Sequence, residues 1–158
     1  MPANRLRTYL DENDVRYVTM AHSQAYTAQE IAAASHIPGK AMAKTVMVKL
    51  DGRMAMVVVP ALHKIDLEVL KRVSRSAQVE LATEHDFKLL FPDCEPGAMP
   101  PFGNLYGMEV YADELLTRDE LIAFNAGSHA ELIQVSYEDF ARLVKPKVAP
   151  LAFEYAIH

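Results

Sequence analysis

The sequence predicts a single domain of the mixed α+β class, and three observations carry that prediction. The chain has 158 residues, of which 51% are hydrophobic and 23% are charged. It can therefore bury one core of ordinary size, and it is too apolar to be disordered. Patterns typical of helices are interspersed with patterns typical of strands. The pair Asp51-Gly52 separates two β-rich runs, which is a strong short-range signal of a hairpin. We therefore treat residues 1–158 as one domain.

The individual elements follow from hydrophobic periodicity. Apolar residues four apart, such as Leu6 and Leu10, indicate an amphipathic helix, whereas alternation indicates a strand. The predicted helices cover Asn4 to Glu12, Thr27 to Ser35, Asp66 to Val73, Thr83 to Leu90, and a last segment between Ser136 and Pro146. The predicted strands cover Val15 to Met20, Ala43 to Leu50, Arg53 to Val59, Ala77 to Leu81, Leu105 to Tyr111, Glu120 to Asn125 and Glu131 to Val135.

Capping residues fix the ends of these helices. Thr27 and Glu30 have the spacing of a capping box, and Pro38-Gly39 stops the helix that follows. Ser136 with Asp139 begins the last helix in the same way. These signals favour short helices set among hairpin-linked strands.

Composition excludes several classes of protein. No stretch approaches about 18 consecutive apolar residues, so no membrane span is predicted. The first ten residues carry arginines and no apolar segment, so no secretory signal is predicted. The single cysteine, Cys94, cannot form an internal disulfide or a cysteine-rich zinc site, which fits a reducing compartment. We expect a cytoplasmic protein without a membrane partner.

The net charge of −5 argues weakly against broad nucleic-acid binding, but it hides an asymmetry. Residues 40–75 contain eight bases and three acids, a balance of +5, whereas residues 80–120 contain ten acids and two bases, a balance of −8. Such a division can give an acidic protein one basic face that attracts a polyanion. The alternative is ordinary solvated surface with no partner.

Lys44 is the first candidate for chemistry. Alternation along Ala43 to Leu50 places Lys44 on the same face as Val46 and Val48. If that face meets the core, the lysine points inward at the start of its strand, where burial without an anion is costly. It is then a candidate ligand for a phosphate or a carboxylate. The alternative is a strand-end lysine whose ammonium reaches water.

A second candidate is the loop within Phe91 to Asn104, which contains four prolines and two glycines. Its segment Glu95 to Gly103 combines glycines, which allow close approach of a ligand to the backbone, with prolines, which stiffen the chain. Such a loop can aim a few backbone N–H groups at a carbonyl or an oxyanion. The alternative is a structural turn between a helix and a strand.

A third candidate is the combination of His129 and Cys94. The sequence Asn125-Ala126-Gly127-Ser128-His129 predicts a hairpin turn with the histidine at its rim. A histidine and a cysteine allow a nucleophile and base pair, although no third orienting group accompanies them. The remaining histidines lack ligand spacing such as His-x-x-x-His, so neither a metal nor a cofactor is predicted.

These residues resemble those of the YbaK-like family of aminoacyl-tRNA editing domains, which includes free-standing deacylases and the editing insertion of bacterial prolyl-tRNA synthetases. The matching features are Ala43-Lys44-Thr45-Val46, Gly97-x-x-x-Pro101, the segment His22 to Ala32 and the turn Asn125-Ala126-Gly127. The resemblance covers essentially the whole chain. It implies a mixed, mostly antiparallel or barrel-like sheet surrounded by short helices.

The resemblance also implies a reaction, namely hydrolysis of the ester that joins a wrong amino acid to the 3′-terminal adenosine of tRNA. Lys44 would hold the acceptor end and Gly97 would contribute catalytic backbone, while the substrate's 2′-hydroxyl or a water acts as the base. The implied substrate-binding residues are Tyr26, Thr27, Ala98, Met99, Pro100, Pro101, Asn125 and His129. The crowded Met99-Pro100 segment favours a small aminoacyl group such as alanine, serine or threonine.

The resemblance therefore implies a free-standing, trans-acting deacylase that clears mischarged tRNA, with tRNA as the expected partner, an aminoacyl-tRNA synthetase as a candidate partner, and no DNA. A second hypothesis is a non-catalytic module on the same fold that binds aminoacyl-tRNA or a synthetase. A third is a small-ester hydrolase that depends on Cys94.

Overall fold

A computed structural model describes residues 4–21, 42–61, 63–92, 94–95, 98–128 and 130–154. The α+β class is confirmed, and the helix predicted over residues 27–35 lies outside the described residues. The helices are α1 (Asn4–Glu12), α2 (Leu67–Ser74), α3 (Glu84–Phe87) and α4 (Tyr137–Val144). The strands are β1 (Tyr17–Ala21), β2 (Ala43–Leu50), β3 (Arg53–Pro60), β4 (His63–Ile65), β5 (Val79–Leu81), β6 (Val110–Asp113), β7 (Leu121–Asn125), β8 (Glu131–Ser136), β9 (Lys147–Ala149) and β10 (Ala152–Glu154).

The strands form three sheets, whose pairing is mostly antiparallel. The central sheet has the order β5-β2-β3-β6-β9, and its β3–β6 and β6–β9 pairs are parallel. A second sheet has the order β1-β8-β7, and β10 pairs with β4. Within the described residues these sheets stay open and do not close into a barrel. None of the helices described is long and apolar enough to cross a membrane.

The hairpin predicted at Asp51-Gly52 is confirmed. Asp51 and Gly52 both have positive φ, 49° and 85°, as the tight turn favoured by twisted antiparallel strands requires. The Asp51 carboxylate also accepts hydrogen bonds from the backbone of Ala77 and Gln78, each through Oδ1, at 2.9 and 2.8 Å. The turn therefore fixes both the β2–β3 register and the approach of the chain to β5.

One predicted strand was wrong in position. Residues Gly103–Leu105 form a 3-10 turn, and the strand begins only at Val110. The chain cannot extend earlier because Gly107 has φ +69°, which is incompatible with a strand. The helix predicted over Thr83 to Leu90 likewise ends early, since α3 gives way to a 3-10 turn at Lys88–Leu90.

Both faces of the central sheet are buried, so β2 has two apolar sides rather than one. On one side Met47, Met56 and Val58 join a core with three phenylalanines, Phe102, Phe124 and Phe140. On the other side Val48, Leu50 and Val57 pack with Leu70 of α2 and with Tyr111 and Leu151. Each large buried side chain contributes about 1.5–3 kcal/mol, so the sheet is held from both sides.

Candidate functional site

Lys44 and Asn125 stand at equivalent positions on two neighbouring strands. An isolated parallel bridge joins Met42, just before β2, to Ala123 of β7. Counting two residues onward along each strand reaches Lys44 and Asn125. Side chains two residues apart on a strand share a face, so both side chains lie on the face that carries Met42 and Ala123. Lys44 and Asn125, which are 81 residues apart in the sequence, therefore lie at equivalent positions on neighbouring strands. We call this place the junction.

The junction lies between two apolar clusters. Met42 and Ala123 are fully buried with Ala61 and Leu132 on one side of it, and the Val48 cluster lies farther along the same face of β2. Among the described residues no ladder pair follows the Met42–Ala123 bridge, so the hydrogen-bonded pairing of β2 with β7 does not continue past it. Lys44 is half-buried at this point. The valine face does meet a core, as expected, and the lysine stands at its edge.

The glycine–proline loop is anchored in the core. Ala98 and Met99 are 0% and 3% exposed, and Pro100 and Pro101 are buried as well. Ala98 donates its N–H to the carbonyl of Glu95 at 3.0 Å, and Phe102 donates to that of Pro100 at 2.8 Å. The N–H groups of Met99 and Gly103 have no acceptor among the described residues. The described part of the loop, residues 98–102, has no helix or strand, and the N–H of Met99 is a backbone donor beside the turn after β7.

Two backbone hydrogen bonds join this loop to the turn after β7. Glu95 donates its N–H to the carbonyl of Gly127 at 2.8 Å, and Gly127 donates its own N–H to the carbonyl of Ala98 at 2.8 Å. Gly127 has φ +92°, a conformation that L residues rarely adopt. Met99 and Ala126 also share one apolar cluster with Ala43 of β2. Loop, turn and strand β2 therefore pack together beside the junction, through the face of β2 that carries Ala43.

Two buried polar groups near the junction are unpaired among the described residues: Asn125 on the face of Lys44, and Thr45 on the opposite face of β2. Thr45 Oγ1 and Asn125 Oδ1 are buried and have no hydrogen-bond partner among the described residues. Buried polar atoms are almost always paired, so an unpaired one calls for an explanation. The family resemblance led to Asn125, but sequence reasoning missed Thr45. The sequence did contain a signal for Thr45, because its hydroxyl lies on the face of β2 that otherwise carries the apolar side chains of Ala43 and Met47.

Four of the predicted site residues, Tyr26, Thr27, Gly97 and His129, lie outside the described residues, so their roles stay predictions. Of the third candidate, Cys94 is half-buried, with its Sγ 3.8 Å from the hydroxyl of Tyr106. The described residues contain no group of three His, Cys, Asp or Glu side chains placed to hold a metal ion.

Some of the charge asymmetry in the sequence cancels in the fold. Lys49, from the basic segment, forms an ion pair of 3.0 Å with Asp86, from the acidic segment. A backbone hydrogen bond from Thr83, together with Lys49, lowers the pKa of Asp86 to about 2. Glu109 accepts a hydrogen bond from Tyr111, and that bond, with Lys147 and Arg53 nearby, lowers the pKa of its carboxyl. These pairs lie away from the junction.

Comparison with known proteins identifies the family. Residues 22–143 match the aminoacyl-tRNA editing domain family. The proline–tRNA ligase of Bacillus subtilis (strain 168) is 30% identical over 105 residues, which cover 65% of this chain and 18% of that protein. That of Bacillus mycoides (strain KBAB4) is 27% identical over 106 residues, covering 67% and 19%. The chain thus spans less than a fifth of the length of these relatives.

Solved structures give the same fold. A crystal structure of a candidate trans-editing enzyme for prolyl tRNA synthetase matches with a TM-score of 0.83 at 20% identity and covers 98% of each chain. That of a hypothetical protein has a TM-score of 0.85 at 17% identity and covers 95% of this chain and all of the other. With the family match over most of the chain, the conclusion is that this protein belongs to the aminoacyl-tRNA editing domain family.

Proposed function

We propose that this protein is a trans-acting deacylase, which hydrolyses the ester bond between a wrongly attached small amino acid and the 3′-terminal adenosine of tRNA. The observation that carries the proposal is the junction itself, where Lys44 and Asn125 stand beside a loop and a turn that are tied together. Membership of the editing-domain family supports the same reaction. Such an enzyme would act in the cytoplasm, where charged tRNA is used.

Lys44 would hold the acceptor end. A lysine ammonium is a compact charge with three donors, and it suits phosphate or ribose oxygens that approach from solvent. Its half-buried position at the junction strengthens such contacts, because fewer water molecules compete there. Asn125 Oδ1 can accept from a hydroxyl or an ammonium of the same substrate, since it has no partner among the described residues.

The loop would hold the aminoacyl group. The N–H of Met99, which has no acceptor among the described residues, is a candidate donor to the carbonyl oxygen as it becomes an oxyanion, together with backbone at Gly97. The buried surfaces of Ala98, Met99, Pro100 and Pro101 leave little room beside it. This crowding supports alanine, serine or threonine as the amino acid removed, with Tyr26, Thr27 and His129 as further contacts.

The chemistry needs positioning more than a strong protein base. Water adds to the ester carbonyl and the negative charge collects on its oxygen. The bond to the ribose 3′-oxygen then breaks, and that oxygen takes a proton while the free amino acid leaves. The neighbouring 2′-hydroxyl or a second water can relay the proton. Orientation and oxyanion stabilisation can each contribute several kcal/mol to such a reaction.

The names of the relatives bear on the choice of tRNA. The curated relatives are proline–tRNA ligases, and one structural neighbour is a candidate trans-editing enzyme for prolyl tRNA synthetase. Mischarged proline tRNA is therefore the first substrate to test, with prolyl-tRNA synthetase as the candidate partner. A non-catalytic module that binds aminoacyl-tRNA or this synthetase is the competing proposal, and turnover separates the two.

The test is a deacylation panel with alanine, serine and threonine attached to proline tRNA and to their own tRNAs. We expect turnover of at least one mischarged tRNA, and a Lys44→Ala variant that loses about 100-fold or more in kcat/KM. Lys88→Ala, at an exposed lysine outside the junction, is the matched control and should retain full activity.

Three results would count against the proposal. Full activity of Lys44→Ala would overturn the role of the lysine. Saturable binding of aminoacyl-tRNA without turnover of any substrate would favour the binding module. Loss of activity in Cys94→Ser with Lys44→Ala unaffected would instead favour a cysteine-dependent hydrolase.

A further inference from the structure

Helix α2 carries three cations along one exposed face. Arg75, the C-cap residue, follows Lys71 by four residues and Arg72 by three, and all three side chains are exposed, so Arg75 lies next to both of the others at the end of the helix. The opposite face of the helix is held in the core by Leu70, which is fully buried. We call these three cations the basic stripe.

The basic stripe is not neutralised by an ion pair among the described residues. The ion pairs formed among the described residues use Arg7, Lys49, Arg142 and Lys147, and none of them involves the stripe. Two carboxylates, Glu68 and Glu80, line a cavity of about 440 Å³ beside Lys71, between α2 and β5. These two carboxylates place negative charge on one side of the basic stripe. The ion pairs at Asp86 and Glu109 use other cations, and the three cations of the basic stripe have no ion-pair partner among the described residues.

The basic stripe lies at the opposite end of β2 from the junction. Just after Arg75, the backbone of Ala77 and Gln78 is bound by Asp51 in the hairpin turn. Lys44 lies at the start of β2 and Leu50 at its end, and six residues of strand span about 20 Å. That distance is too long for a terminal adenosine bound at Lys44 to touch both places.

We propose that the basic stripe is a second RNA-contact surface, which binds phosphates of the double-helical acceptor arm while the 3′ end lies at Lys44. This inference rests on the proposed function. Side chains read an RNA duplex mainly through its shape and phosphates, and phosphate contacts provide affinity without sequence information. The basic stripe therefore supplies tRNA affinity and no amino-acid selectivity.

The test compares two triple variants on two substrates. Lys71→Gln/Arg72→Gln/Arg75→Gln removes the basic stripe, and Arg16→Gln/Arg118→Gln/Lys145→Gln removes three other exposed cations. The two sets are matched in charge, and each contains one residue with positive φ, Arg75 and Lys145. The substrates are a full mischarged tRNA and an aminoacylated oligonucleotide that contains only the unpaired 3′ end.

With the full tRNA we expect the stripe variant to raise KM about tenfold at low salt with kcat unchanged. The slope of log Kd against log salt should fall by about 2–3, since each of the three lost phosphate contacts removes about 0.7–0.9. The short substrate should be hydrolysed equally by all three proteins. Lys71→Gln/Arg72→Gln, which leaves the cap residue in place, should give about two thirds of the change in slope.

Equal behaviour of the two triple variants on full tRNA would overturn the inference. So would an equal loss on the short substrate, because the cations would then act on the site itself. If the wild-type protein hydrolyses neither substrate, the proposed function fails. Binding of uncharged tRNA still decides the role of the stripe, since an unchanged salt slope in the stripe variant overturns it and a smaller slope supports it.

Discussion

The amide of Gly127 donates a hydrogen bond of 2.8 Å to the carbonyl of Ala98, across 29 residues of sequence. The amide of Glu95 returns a bond of 2.8 Å to the carbonyl of Gly127. The glycine–proline loop and the turn after β7 are therefore one structural unit. A change in the backbone of the turn should therefore shift the loop that we propose as the aminoacyl pocket.

The first prediction concerns Gly127→Ala. Its φ of +92° is unfavourable for alanine by about 1–2 kcal/mol, and relief of that strain would weaken the bonds to Glu95 and Ala98. We expect a lower melting temperature and a deacylation rate that falls by more than the folded fraction does. Thermal denaturation and kcat/KM, measured on one preparation, check this.

The control for that variant is Gly52→Ala. Gly52 has a similar φ of +85°, and a Cβ there meets nothing within 4 Å, so the variant carries the same backbone strain far from the loop. It should lose stability and keep its activity per folded molecule. If the two variants lose activity in parallel, the hydrogen-bonded link has no special role.

The second prediction concerns Thr45→Val, which separates stability from function. Thr45 Oγ1 is buried without a partner among the described residues, so its replacement by a methyl group should leave stability unchanged or raise it by about 1 kcal/mol. If the hydroxyl meets the substrate, kcat/KM should fall about fivefold, as expected for one hydrogen bond of about 1 kcal/mol.

Thr117→Val is the opposite case. Its hydroxyl donates to the carbonyl of Glu114 at 2.6 Å at an exposed position, so its loss should cost a little stability and no activity. A stable Thr45→Val protein with an unchanged kcat/KM would show that the Thr45 hydroxyl does not contact the substrate.

Local chemistry explains which parts of the fold the sequence could predict. The hairpin at Asp51-Gly52 and the caps at Asp66 and Ser136 were predictable because each depends on a few neighbouring residues. Strands β9 and β10 were missed because distant partners define them. The Asp113 carboxylate, 38 and 39 residues away, accepts from the N–H groups of Leu151 and Ala152 at 2.8 and 3.0 Å.

The candidate site divides in the same way. Lys44 could be singled out from alternation within one strand, whereas its position beside Asn125 depends on one parallel bridge between Met42 and Ala123. The link between Ala98 and Gly127 depends on backbone hydrogen bonds, which side-chain patterns do not encode. Charge counting overstated the basic segment because Lys49 is neutralised by a distant acid.

The third prediction concerns Gly103→Ala. A Cβ at Gly103 would lie 2.6 Å from Cγ2 of Val110 and 2.8 Å from the carbonyl oxygen of Met108, both closer than atoms can pack. Crowding of this kind costs about 1–3 kcal/mol. We expect a lower denaturation midpoint with an unchanged m-value, measured by urea unfolding.

Val110→Ala in the Gly103→Ala background is the matched test. The double variant removes the side-chain clash and leaves the clash with the Met108 carbonyl. Its loss of stability should therefore be smaller than the sum of the losses of the two single variants. Additive losses in the double variant would contradict the packing seen around Gly103.

The fourth prediction concerns the acid stability that Asp86 provides. Hydrogen bonds from Thr83, whose N–H lies 2.8 Å from Oδ2, and the ion pair with Lys49 hold the pKa of Asp86 at about 2. An unfolded aspartate has a pKa of about 3.9. Because the folded value is the lower one, the charged carboxylate stabilises the fold fully above about pH 4, and that contribution is lost as the pH falls from about 4 to 2.

Asp86→Asn should therefore be less stable than the wild type at neutral pH and should lose less stability than the wild type between pH 4 and 2. Lys49→Gln should retain most of the wild-type pH dependence, because the backbone bond from Thr83 is the largest cause of the shift. Melting temperatures taken across this range distinguish the three proteins. An Asp86→Asn profile parallel to that of the wild type would mean that another carboxylate controls acid unfolding.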